Sequence, residues 1–160
     1  MKIFIAGGTG FVGGHLTAEL LKRGHELILL SHAGSGKTQP GITLQQGDVT
    51  DPSSYQQAMK GCDAVINLVG IIREFPAKRV TFERLHVEAT ACMVQAAQHS
   101  GVLRYLQMSA LGTRLDAVSG YHRTKWRGEE IVRSSGLAWT VFRPSLIFGP
   151  KDAFVNILYI

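Results

Sequence analysis

The chain has little of what marks several protein classes. It holds two cysteines, Cys62 and Cys92, at no metal-ligand or redox spacing. That argues against a disulfide framework or a cysteine metal site; no metal is expected, and a reduced intracellular chain is the simplest account. No apolar run approaches the roughly 20 residues that span a bilayer. Glycines break the apolar run after Lys2 before it reaches signal-peptide length. An Arg-rich, Ser-rich presequence is missing, so a bacterial or cytosolic protein, or an already processed one, is expected. Lys and Arg outnumber Asp and Glu by 17 to 12, for a net charge of +5. These cations are scattered rather than gathered into a run, which predicts a mildly basic surface and no nucleic-acid partner. No repeat, low-complexity stretch or linker interrupts the 160 residues. With 45% hydrophobic and 18% charged residues, they read as one globular domain over 1–160.

What is present begins at Ile3. The apolar run Ile3–Ala6 breaks into Gly7, Gly8, Gly10 and Gly13, and Val12, Leu16 and Leu20 then recur at four-residue steps. Strand, glycine turn, helix is the context of a dinucleotide-binding fingerprint. Glycine permits positive φ and close approach of backbone to a pyrophosphate. The helix start offers free N–H groups and the positive end of its dipole. Gly7, Thr9, Gly10, Phe11, Val12 and Gly13 are therefore candidate cofactor contacts.

Strand and helix patterns alternate along the rest. Strands are predicted over Leu27–Leu30, Ile42–Gln45, Ala64–Val69, Leu103–Met108 and Trp139–Phe142. Asp51-Pro52 suits a helix N-cap followed by proline at the first position. Phe82, Leu85, Ala89, Cys92 and Ala96 step by three and four and predict a long helix; another is predicted over Tyr121–Ser134. Repeated β-α units imply an α/β fold, a Rossmann-type doubly wound parallel sheet with helices on both faces and a crevice at the strands' carboxyl ends.

Tyr121-His-Arg-Thr-Lys125 places a tyrosine and a lysine on one helix face. A phenol titrates near 10, so acid–base work at neutral pH calls for a nearby cation. Together with Gly7-x-x-Gly10-x-x-Gly13, this pattern resembles the short-chain dehydrogenase/reductase superfamily in its extended and atypical branches. Gly128-Glu129-Glu130, Ser135-Gly136-Leu137 and Arg143-Pro144-Ser145 resemble the atypical group that contains the NAD(P)H-binding accessory subunit of respiratory complex I and its bacterial relatives.

The resemblance implies roles. Tyr121 becomes the general acid/base, Lys125 a group that lowers its pKa and holds the cofactor ribose, and Ser109 the residue that orients a substrate oxygen. Asp48 and Val49 fall at the adenine contact, Leu68, Val69 and Gly70 beside the nicotinamide ribose, and Pro144 in the loop near the nicotinamide. Asp48 reads equally well as a turn aspartate capping the next helix. The implied activity is hydride transfer between nicotinamide and an unidentified carbonyl, hydroxyl or sugar-nucleotide-like substrate. The alternative is a non-catalytic NAD(P)H-binding subunit or assembly module of a respiratory or quinone-related complex. Under either reading a homodimer or a subunit of a larger complex is expected, cytoplasmic in a bacterium or held at the inner membrane through a complex.

Two positions depart from the family pattern. Leu30 is followed by Ser31–Lys37 without an acidic residue, so a ribose 2′-phosphate would meet no repulsion and could reach His32 and Lys37. NADP is expected over NAD. His86 stands where many relatives carry the asparagine of the proton relay; a partly buried helix histidine is the other reading. Gly36-Lys37-Thr38 lacks the upstream glycine of a P-loop, because Ser31 occupies its place. The apolar end, Phe154–Ile160, implies the first part of a longer protein whose carboxyl-terminal substrate lobe is absent.

Overall fold

The computed structural model describes residues 1–32, 39–150 and 152. Lys37 and Phe154–Ile160 lie outside these. Six strands form one parallel sheet: β1 (Lys2–Ala6), β2 (Glu26–Ser31), β3 (Ile42–Gln46), β4 (Ala64–Asn67), β5 (Arg104–Met108) and β6 (Ala138–Phe142), in the order β3-β2-β1-β4-β5-β6. The order reverses between β1 and β4, and ligands of open α/β sheets bind outside the strand ends at such a switch point.

Helices α1 (Phe11–Lys22), α2 (Gln56–Met59), α3 (Ala89–His99) and α4 (Gly120–Arg133) cover the sheet. The central strands bury both faces, which is why they read as continuous apolar runs. Ile3, Ile5, Leu27 and Leu29 pack on one face beneath Leu16, Leu20 and Leu21 of α1. Phe4, Ala6, Ile28 and Val65 pack on the other against Tyr55, Met59, Met93, Ala97 and Val132. Asp51 caps the expected turn, but Pro52–Ser54 is a short 3₁₀ helix ahead of α2.

Two elements differ from their sequence pattern. The fourth strand stops at Asn67, two residues early, because the Asn67 side chain takes the Val69 amide at 3.0 Å and turns the chain out of the sheet. Asn67 is fully buried, with Nδ2 directed to Gln107 at 3.1 Å and to the Tyr105 hydroxyl at 3.3 Å. The long helix expected from Phe82 begins as a π-helical segment, Glu83–Glu88, before settling into α3. Such segments are rare and cluster at functional sites.

Candidate functional site

The glycine turn is shaped by two constraints. Gly7 has φ +78°, and a Cβ there would lie 3.0 Å from the Leu68 carbonyl carbon. A Cβ on Gly13 would lie 2.2 Å from the Gly7 oxygen, so α1 sits directly on the turn. Gly10 is the N-cap and supplies no side-chain cap, and no acid occupies the first turn. The first amides of α1, at Phe11, Val12 and Gly13, thus begin the helix without side-chain partners or a counter-charge, as an anion site requires. This cradle fits a dinucleotide pyrophosphate.

A cleft of about 340 Å³ opens beside it at the carboxyl ends of β1 to β4. Gly7, Thr9, His32, Asp48, Val49 and Val69, all expected, line it. Lys78, Arg79, Arg84 and Leu85 line it too, and sequence reasoning missed them. Asp48 lines the cleft just past the end of β3 and does not cap the next helix. Its carboxylate takes the Thr50 amide and hydroxyl, each at 2.8 Å, and pairs with Arg84 at 2.9 Å. Partial burial pushes it up, but these bonds and the Arg84 charge hold it below its ordinary value. Capping of the next turn falls to Asp51 instead, whose carboxylate accepts the Ser53 amide at 3.1 Å.

At the other end of the switch point sits Lys125, buried on α4. Its Nζ donates to the Met108 carbonyl at 3.2 Å and to the Val69 carbonyl at 3.4 Å, linking the ends of β5 and β4. A Cβ on Gly70 would lie 2.8 Å from that ammonium, so a side chain there would push the lysine tip aside. Burial lowers the Lys125 pKa to about 8, partly opposed by Glu129. Tyr121 joins edge-to-face contacts with Phe82, His86 and His122 at 5.1 to 5.7 Å between ring centroids. Burial pushes its phenol above the ordinary value, opposite to the expected depression by Lys125. The reason is geometric: the ammonium spends its hydrogen bonds on the two strand ends.

His86 is buried on the π-helical segment. Its Nε2 lies 3.3 Å from the Ile71 amide and its Nδ1 3.0 Å from the Thr124 hydroxyl. The amide can only donate, so Nε2 is the acceptor and Nδ1 carries the proton, donated to Thr124. Burial, then the nearby Lys125 charge, brings its pKa to about 3. It is a neutral wall of the site, stacked on Phe82 at 5.3 Å and holding the chain after Gly70.

Ser109 is placed differently from the orienting role expected of it. Its buried hydroxyl donates to Glu129 at 2.5 Å, and its amide to the Phe142 carbonyl at 2.7 Å. Glu129 is fully buried and receives Arg143 on both oxygens, at 2.8 and 2.6 Å, and Arg133 at 2.6 Å. These residues tie α4 to β6 rather than face the cleft. Pro144 follows β6 and accepts the Leu111 amide at 2.8 Å; its loop reaches α1, where a Cβ on Gly149 would lie 3.7 Å from the Phe11 ring. Among the described residues no cluster of His, Cys, Asp or Glu is arranged to hold a metal ion.

A switch-point cleft, a glycine cradle under a helix N-terminus and a buried lysine on the adjoining strand ends define a dinucleotide-binding domain. The chain belongs to the NAD(P)H-binding family, which it matches over residues 7–153. It is 30% identical over 160 residues to NADH dehydrogenase [ubiquinone] 1 alpha subcomplex subunit 9, mitochondrial, of Mus musculus, covering 95% of this chain and 42% of that protein. It is 27% identical over 153 residues to the ceramide reductase of Caulobacter vibrioides, covering 94% of this chain and 47% of that protein. Its fold matches the Bordetella bronchiseptica enzyme WbmH in complex with NAD+ with a TM-score of 0.79 and 25% identity, over 95% of this chain and 58% of that one. The chain thus spans less than half the length of these curated relatives. The expected fold, resemblance and cofactor class are borne out.

Proposed function

We propose that this chain is the cofactor domain of an NAD(P)-dependent oxidoreductase or epimerase acting on a carbonyl or hydroxyl substrate. The observation that carries the reading is Lys125: a buried ammonium at the ends of β4 and β5, one helical turn from Tyr121. Bound dinucleotide supplies the hydride chemistry. An ammonium has three donors, and the two bonds to Val69 and Met108 leave one for a ribose hydroxyl. Tyr121, its pKa raised by burial, is protonated at neutral pH and suits donation of a proton to a substrate oxygen. For Ser109 to orient that oxygen, its hydroxyl must leave Glu129. Tyr121→Phe is expected to lower turnover by about 10²-fold or more with cofactor affinity unchanged. Turnover equal to wild type refutes the assignment.

One set of observations favours a second reading, a non-catalytic NAD(P)H-binding module of a respiratory or quinone-related complex. Ser109 is committed to Glu129, and the Tyr121 phenol is raised rather than lowered. The respiratory-subunit relative points the same way. This reading predicts tight, slowly exchanging NADPH and no consumption of it on a panel of carbonyl compounds. Steady consumption with a defined product rules it out. Under either reading the domain works in the cytoplasm or against a membrane-bound complex; no helix among the described residues is long and apolar enough to cross a membrane.

A further inference from the structure

We infer that the tight turn between Phe75 and Val80 forms a second cationic wall of the cleft, with Lys78 and Arg79 receiving the 2′-phosphate of a phosphorylated dinucleotide. The inference rests on the dinucleotide-binding reading and names a recognition element within it. The 2′-phosphate belongs to the adenosine ribose, and the adenosine end of a cofactor held on the glycine turn lies past the end of β2. That is where His32 lines the cleft, and Lys78 and Arg79 line the same cleft.

The turn is built rather than loose. Phe75 and Val80 pair as an antiparallel bridge, with bonds of 2.7 and 3.2 Å between their backbones. Within it the Lys78 amide donates to the Phe75 carbonyl at 2.9 Å and the Arg79 amide to the Pro76 carbonyl at 2.8 Å. The Glu74 carboxylate accepts the Phe82 amide at 2.7 Å, closing the base on the π-helical segment. At its tip Arg79 has φ +57° and ψ +26°; no other non-glycine residue among the described ones has positive φ. Glycine takes that conformation at little cost, whereas an arginine is strained in it. Strained backbone of this kind clusters at ligand clamps.

Charge points the same way. Three permanent cations, Lys78, Arg79 and Arg84, line the cleft against one carboxylate, Asp48. Arg84 is paired with Asp48 at 2.9 Å. Lys78 and Arg79 have no side-chain hydrogen bond or ion pair among the described residues, which leaves two positive charges uncompensated. A phosphate monoester carries about −1.5 to −2 at neutral pH. A 2′-hydroxyl offers those cations nothing comparable.

The test is calorimetric titration of wild type, Arg79→Gly and Lys78→Gln with NADPH and NADH, and with 2′,5′-ADP and AMP as probes of the adenosine half. Wild type is expected to bind NADPH at least about tenfold tighter than NADH, and each variant to lose about tenfold toward NADPH, the low end for charged hydrogen bonds at an exposed site. Affinity of both variants for NADH stays within about twofold, and 2′,5′-ADP follows NADPH. Arg79→Gly is expected to melt no earlier than wild type, because glycine relieves the strained tip, so its lost affinity is not a collapsed loop. Variants that bind NADPH like wild type overturn the inference while leaving dinucleotide binding intact. Equal losses toward NADH and NADPH also overturn it, by placing the two cations on the pyrophosphate. Wild type that binds neither nucleotide overturns the dinucleotide reading itself, and this inference with it.

Discussion

Two neighbouring glycines of α1 are predicted to respond in opposite directions to the same substitution. At Gly13 an added Cβ would lie 2.2 Å from the Gly7 oxygen and 2.6 Å from both the carbonyl carbon and Cα of Gly8. Non-bonded heavy atoms rest at about 3.5–4.0 Å, so the overlap exceeds about 1 Å. Every atom it meets is backbone, so no rotamer change relieves it, and α1 must lift from the turn. The expected cost is about 1–3 kcal/mol, or roughly 2–12 °C in melting temperature for a chain of this size. The same shift withdraws the helix amides from the pyrophosphate, and NADPH affinity is expected to fall at least about tenfold, equivalent to about 1.4 kcal/mol. Gly14 has no atom within 4 Å of its virtual Cβ and lies inside the helix. Gly14→Ala should therefore stabilise by about 0.5–1 kcal/mol and leave affinity unchanged. Urea melts and NADPH titrations of both variants are the assay. A Gly13→Ala protein that melts and binds like wild type refutes the reasoning, as does a Gly14→Ala protein that loses as much as Gly13→Ala.

Glu129→Gln leaves two guanidiniums without their shared carboxylate; with those side chains about a third exposed, a loss of about 2–3 kcal/mol is expected in urea melts, below the range for fully buried pairs. Burial pushes Glu129 up, but the bonds from Arg143 and Ser109 outweigh it and hold the folded pKa below its ordinary value. Its contribution is therefore complete above the unfolded pKa of about 4.3 and is lost as pH falls below that. His86 has a folded pKa of about 3 against an ordinary 6.5, so the unfolded chain binds more protons between these values, and stability should rise with pH across that window. His86→Gln should flatten the part of that slope above about pH 5, where Glu129 no longer contributes; an unchanged slope refutes the assignment. Lys125→Met removes the charge that helps hold His86 down, and the His86 titration followed by NMR should move up; no movement separates the two groups.

The fold was legible because its signals are repetitive. Buried parallel strands read as apolar runs, and the Gly7–Gly13 spacing marks the first crossover. What escaped depends on contacts between distant positions. The early end of β4 is decided by the Asn67 side chain, whose partners Tyr105 and Gln107 come from the neighbouring strand. A three-and-four residue step cannot distinguish the π-helical turn at Glu83–Glu88 from ordinary helix, and that turn fixes where His86 points. The resemblance named Ser109 but not its partner, since nothing local connects it with Glu129 twenty positions on. Lys78 and Arg79 sit in a segment without periodicity and line the cleft from the turn that the Phe75–Val80 bridge closes.

The central claim is that the glycine cradle and its cleft hold a phosphorylated nicotinamide dinucleotide. It is tested most directly by calorimetric titration of the purified wild-type chain with NADPH and NADH under identical low-salt conditions. The account predicts saturable one-to-one binding, with NADPH tighter by at least about tenfold, the gain of a charge-assisted contact to the 2′-phosphate. Equal affinity for the two nucleotides, or no binding of either, contradicts it.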